Sequence, residues 1–266
     1  MPAPITPDEP RPLPRPPRTG RELRRALADA WDALGLVCGV SLTVFAVIAL
    51  PPASAVASQH PLLVGAAVVW VFLVGGPLWF GTCHVAHLIA SRDEPNYAAL
   101  WSAARRHWKQ AVALALVQGI ISLVLLADIV FFVTRAFPGA ALVAALFGYA
   151  LLFWWMNCLY HWPLLVAAHA GIIARDGGAP PRLRSVLKNA LVMAVSAPGF
   201  TSIFLLATMV TFALLAATGV GLAMLGAGLV AIVTTTAGRA QLVRFGALPE
   251  PPNTDGPAVD QGWRMR

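Results

Sequence analysis

PLWFGTCHVAHLIASRDEPNYAALWSAARRHWKQAVA, residues 77 to 113, runs out of one apolar segment, over a charged surface and into the next. A fainter copy, PLLVAAHAGIIARDGGAPPRLRSVLKNALVMA, occupies residues 163 to 194. Aligned with small gaps, the two share Pro-Leu, a histidine (His87, His169), Ile-Ala, Arg-Asp, a proline, and a closing aromatic or leucine before Lys, Gln or Asn, and Ala. The chain reads as a duplicated helical hairpin.

Around these copies the sequence is 58% hydrophobic and only 12% charged over 266 residues, more apolar surface than a soluble domain of that size can bury. Lipid supplies the missing solvent. A transmembrane helix needs about 20 apolar residues, and runs of that kind fall at about 33–50, 62–82, 111–133, 140–162, 199–217 and 219–236. The expected fold is all-α: a polytopic membrane protein of about six transmembrane helices, with a duplicated hairpin and cytosolic amphipathic helices. Thr218-Gly-Val-Gly221 joins the last two spans; the whole run is too long for one bilayer crossing even when tilted.

The formal net charge of +7 comes from residues in the gaps between apolar runs, not from a stripe, so it reports topology and gives no support for a nucleic-acid partner. The N-terminal arm and the 91–109, 175–188 and post-237 segments are basic. The 51–61 loop carries no charge, and the 134–139 loop carries only Arg135. Both termini are therefore expected in the cytoplasm, which an even number of spans permits. Residues 1–20, dense in Pro and Arg, read as a disordered arm, 21–245 as the membrane domain, and 246–266 as a disordered tail. No small-residue cleavage site follows the first apolar run, so its retention as a span is expected.

Within the arm-proximal segment, Leu23, Ala26, Ala30 and Trp31 share the less polar side of a surface helix over 21–32. After each long span comes a second amphipathic segment. Tyr97, Trp101, Ala104 and Trp108 recur at helical spacing with Arg105, Arg106 and Lys109 on other faces, and Pro95-Asn96 is a helix start. In the second copy Leu183, Val186, Leu187 and Ala190 form the apolar face, flanked by Arg182, Arg184 and Lys188. Such helices suit anionic inner-leaflet headgroups, at ~1 kcal/mol per charge, or alternatively a cytosolic partner.

Pro77 and Pro163 fall inside the overlong spans and are candidate hinges, the competing reading being kinks that only set packing angles. Asp128 is the acidic residue within a span, a candidate coupling site or a structural partner of Arg135. Trp154, Asn157 and His161 share one face of the fourth span and form a candidate polar-ligand site, or packing glue with an aromatic belt. His84 and His87 lie one turn apart, but two imidazoles fall short of a metal site unless His169 joins them. Cys38, Cys83 and Cys158 sit in apolar runs without metal or disulfide spacing. With no Gly-rich phosphate loop, nucleophile elbow or paired carboxylates, neither cofactor nor catalytic chemistry is expected.

Gly76-Pro77 late in the second span, Trp108-Lys109-Gln110-Ala111 closing a cytosolic helix, Asp128, Pro163-Leu164-Leu165 and Leu187-Lys188-Asn189-Ala190 together resemble the YesL family (DUF624) of bacterial integral membrane proteins. The resemblance covers roughly Leu34 to Phe245. It departs at the long Pro/Arg arm and at Tyr97, Leu100, Trp101 and Trp108, where the family favours phenylalanine. The family has no established biochemical activity, and its members are often associated with carbohydrate uptake systems. The resemblance therefore implies an accessory or regulatory component beside a transporter permease in the bacterial cell membrane, the alternative being a small transporter with its site between the repeats.

Overall fold

In the computed structural model, residues 17–135, 138–173 and 182–249 are described. The expected unstructured arm and tail fall mainly on 1–16 and 250–266, outside them. Among the described residues nine helical segments follow in order: α1 Thr19–Asp32, α2 Leu34–Ala57, α3 Pro61–Ser91, α4 Tyr97–Arg106, α5 Trp108–Val133, α6 Ala140–His169, α7 Leu183–Ser196, α8 Pro198–Thr218 and α9 Leu222–Arg244. Of these, α2, α3, α5, α6, α8 and α9 are long and apolar enough to cross a membrane, and no strand occurs among the described residues. The protein is an all-α polytopic membrane protein.

Lipid is as apolar as leucine, so packing between spans depends on close approach and polar contacts rather than on expelling water. The least lipid-exposed span is α9, which packs against α1, α3, α6 and α8. Glycine lets its backbone approach its neighbours. A Cβ at Gly238 would lie 2.6 Å from Pro163 Cβ, and one at Gly228 would lie 2.8 Å from Val37. The Gly228 amide also donates to Ser41 Oγ at 2.8 Å, a buried polar bond between α2 and α9. At the outer periphery α5 exposes Ile120, Leu123, Val124, Leu126 and Val130.

The helices run further than the apolar runs do. Residues 51–57, expected as loop, continue α2 through Pro51 and Pro52, and the turn is reduced to about 58–60. A π-helical turn at Phe45–Ala49 precedes the prolines. Pro51 has no N–H for the Val47 carbonyl four residues earlier, and the Trp70 indole N–H donates to that carbonyl instead, at 2.7 Å. A second π turn, Val71–Gly75, lies directly before Gly76-Pro77, where the widened turn accommodates the proline. Pro163 does not interrupt its helix: α6 is continuous from Ala140 to His169, and the buried proline packs against Gly238. Between the last two spans Gly219 takes a φ of +60°, a left-handed value suited to glycine, so the run is two helices.

Both hairpin copies are closed by folding the amphipathic helix back on its span, α4 on α3 and α7 on α6. Asn96 caps α4, its side chain accepting from the Ala99 amide at 2.8 Å. The buried stripe of α4 is Leu100, Ala103 and Ala104, whereas Tyr97, Trp101 and Trp108 point outward. The aromatic side chains stay on the outer face, where an interfacial helix meets lipid, and distance keeps them off the inner one: a Cβ on Gly81 would overlap the Leu100 carbonyl oxygen. Backbones that close leave no room for indoles. In α7 the expected apolar residues Val186 and Ala190 are buried against α6.

Ala26 and Ala30 seat α1 on α9 and are buried, while Trp31 is 74% exposed, so α1 is docked on protein along that edge. Helix α9 ends in a Schellman arrangement at Gly246 (φ +73°), with Ala247 N–H donating to Leu242 O. The expected tail therefore begins with an ordered cap.

Candidate functional site

Two regions hold the residues singled out by sequence. The first lies inside the membrane layer, where α5 and α6 run antiparallel. Gln118, about 15 Å along α5 from Trp108 at 1.5 Å per residue, bridges two side chains of α6. The Trp162 indole N–H donates to Gln118 Oε1 at 2.9 Å, and Gln118 Nε2 lies 2.9 Å from His161 Nδ1. Two turns away the Trp154 indole N–H donates to Ser122 Oγ at 3.1 Å, and the Trp154 ring meets His161 edge-on at 5.4 Å between centroids. His161 is 0% and Asn157 6% exposed, yet His161 Nε2 and Asn157 Oδ1 have no hydrogen-bond partner. Trp154, Asn157 and His161 thus share one patch with Gln118, Ser122 and Trp162.

Asp128 does not join them. It lies ten residues beyond Gln118, roughly 15 Å along the helix, toward the end where Phe132 stacks on Phe147. Its suggested partner Arg135 lies over the Phe131 ring instead, 4.5 Å from the centroid, and forms no ion pair with it. The residue that sequence reading passed over is Gln118. Its signal was a lone amide in the run ALALVQGIISL.

The second region is the basic end of the bundle. Arg105, Arg106 and Lys109 lie exposed around the outward Trp101 and Trp108, and Arg182, Arg184 and Lys188 are exposed on and just before α7. Tyr97 OH also hydrogen-bonds Thr43 Oγ1, tying α4 to α2. Behind this surface the two hairpin copies meet. The His107 and His169 rings lie 3.8 Å apart between centroids, both against Phe80, and His169 Nδ1–H donates to the Leu165 carbonyl at 2.8 Å. Two imidazoles bound to one zinc at 2.0–2.1 Å would hold their centroids roughly 5 Å apart, so this pair, with its planes at 60°, is an edge-on ring contact. Among the described residues no group of three or more His, Cys, Asp or Glu is arranged to hold a metal ion. Within α1, Arg25 Nε lies 3.9 Å from Asp29 Oδ2, one turn along the same helix; burial pushes the Asp29 carboxyl up, and Arg25 and Arg92 pull it back.

His107 titrates low, near 4, first because of burial and then because of His169, Arg106 and His84. Its folded value lies below the unfolded one of about 6.5, so its contribution to stability is present above pH 6.5 and is lost as pH falls from 6.5 toward 4. The unfolding midpoint of the purified protein should drop over that window, and His107→Phe should flatten the drop. An identical pH profile for the variant would remove His107 from the account.

In comparison with known proteins, no family model, no curated protein and no solved structure matches the chain, so its likeness to the YesL family rests on the short motifs alone.

Proposed function

We propose that this membrane protein is a non-catalytic accessory or regulatory component that sits beside a permease of carbohydrate uptake in a bacterial cell membrane, its basic end and both termini in the cytoplasm. The observation that supports docking is the outward face of α4 and the start of α5, where Tyr97, Trp101 and Trp108 are 42, 38 and 49% exposed among Arg105, Arg106 and Lys109. Aromatic and arginine side chains exposed together are the composition of interface anchors. Their charge suits an acidic cytosolic surface on the permease, with Arg182, Arg184 and Lys188 extending the same end. Placement of that end inside the cell follows from its excess of Lys and Arg. The carbohydrate assignment comes from the resemblance to the YesL family and from nothing else.

The test isolates the protein from native membranes in mild detergent and identifies what accompanies it. A carbohydrate permease should be retained in stoichiometric amount and fall at least tenfold in the triple reversal Arg105→Glu, Arg106→Glu, Lys109→Glu. A reversal variant that keeps the permease but loses affinity for vesicles containing anionic lipid would assign this face to headgroups and overturn docking.

A second reading, a small transporter with its site between the repeats, is favoured by the unpartnered His161 Nε2 and Asn157 Oδ1 inside the membrane layer. Solute-dependent protection of α6 from chemical labelling, together with uptake into vesicles holding only this protein, would establish it over the accessory role.

A further inference from the structure

The bonding around Gln118 fixes where the His161 proton resides. An indole N–H only donates, so the Gln118 atom 2.9 Å from Trp162 Nε1 is the carbonyl oxygen. The amide nitrogen then faces His161 Nδ1 at 2.9 Å and donates to it. An acceptor at Nδ1 places the ring proton on Nε2, because a proton on Nδ1 would set two donors against each other. His161 Nε2–H is therefore a buried donor without a partner, and Asn157 Oδ1, one helical turn earlier on the same face, is a buried acceptor without one. Residues four apart on a helix are side-chain neighbours, with Cβ atoms about 5–6 Å apart.

A buried donor and a buried acceptor one helical turn apart complement a group that accepts and donates at once. We propose that His161 and Asn157 bind a neutral hydroxyl, which accepts from Nε2–H and donates to Asn157 Oδ1, and which is supplied by a water molecule or by a small polyol. A carboxylate or phosphate would set its charge against the Asn157 oxygen. An ammonium cannot accept from Nε2–H, and a metal ion needs the lone pair that the Nε2 proton occupies. Trp154, its indole N–H bonded to Ser122, places an apolar ring beside His161, a surface against which the carbon side of a polyol packs. The inference holds whether the chain serves a permease or moves a solute itself.

The experiment uses the full chain in lipid nanodiscs with ¹⁵N-labelled histidine, the His161 resonances being assigned by difference from His161→Asn. Long-range ¹H–¹⁵N correlation should show the Nε2–H tautomer. In the water arm, the Nε2 proton should show a cross-relaxation peak to a long-lived water, unaltered by added glycerol or erythritol. In the polyol arm, the same proton should shift saturably with glycerol or erythritol. Either result supports the hydroxyl site and names its source, and Asn157→Leu should abolish it while leaving the tautomer unchanged. An Nδ1–H tautomer, an Nε2 proton in contact with neither water nor polyol, or a signal that survives in Asn157→Leu would overturn the proposal. The tautomer is read on the natural chain, so that arm decides even if the variant fails to fold.

Discussion

Gly81→Ala should unseat α4 from α3 and lower the unfolding midpoint of the detergent-solubilised protein, by the equivalent of roughly 1–3 kcal/mol, the range for overpacking. The upper end is expected, because the group that an added methyl would meet is the Leu100 backbone carbonyl, which cannot turn aside as a side chain does. Relief requires α4 to move outward as a body, which exposes Leu100, Ala103 and Ala104 and disturbs the Tyr97 to Thr43 bond. Proteolysis at 92–96 should accelerate along with the fall in stability. Gly65→Ala is the control, since nothing lies within 4 Å of a Cβ there. If Gly81→Ala proves as stable as Gly65→Ala, the close seating of the hairpin is wrong.

Gln118→Leu is the second large expected effect. It strands the Trp162 indole N–H and His161 Nδ1 together, since both depend on the same amide. An unpaired buried polar group costs about 1–3 kcal/mol in water-soluble proteins. Interhelical hydrogen bonds within membranes average nearer ~0.6 kcal/mol, so a combined loss of about 1–3 kcal/mol is expected. Unfolding in mixed micelles measures it, and Gln118→Glu separates packing from bonding: its carboxylate still accepts from Trp162 but presents an acceptor to His161 Nδ1 and draws the proton there. No loss of stability in Gln118→Leu would show that the bridge contributes nothing.

These two sites differ in how far the sequence discloses them. Six spans are legible because a run such as ALALVQGIISLVLLADIVFFV has no water-soluble alternative, and the Gly219 turn is legible because glycine there breaks one overlong run into two. Helix ends are less so. At 51–57 proline argues for a loop, and what rescues the helix is the Trp70 indole, a long-range partner that local reading does not supply. Which stripe of α4 packs on protein is hidden for a similar reason: Tyr97, Trp101 and Trp108 mark an apolar face by spacing, but Gly81 on another helix decides that only small residues fit the inner one. His161, Asn157 and Trp154 share a face by spacing alone, whereas their link to Gln118 depends on the antiparallel register of α5 and α6. The meeting of His107 with His169 needs the tertiary closure of both hairpins.

The central claim is that the apolar helices cross lipid and that the helices folded back from them, α4 and α7, stay on the inner side. Cysteine accessibility tests it most directly, after Cys38, Cys83 and Cys158 are replaced by alanine. A membrane-impermeant maleimide applied to intact cells should label Ser58→Cys, at the turn between α2 and α3, and should reach Ser102→Cys in α4 only after the cells are permeabilised. Labelling of Ser102→Cys in intact cells, with Ser58→Cys protected, would contradict the account.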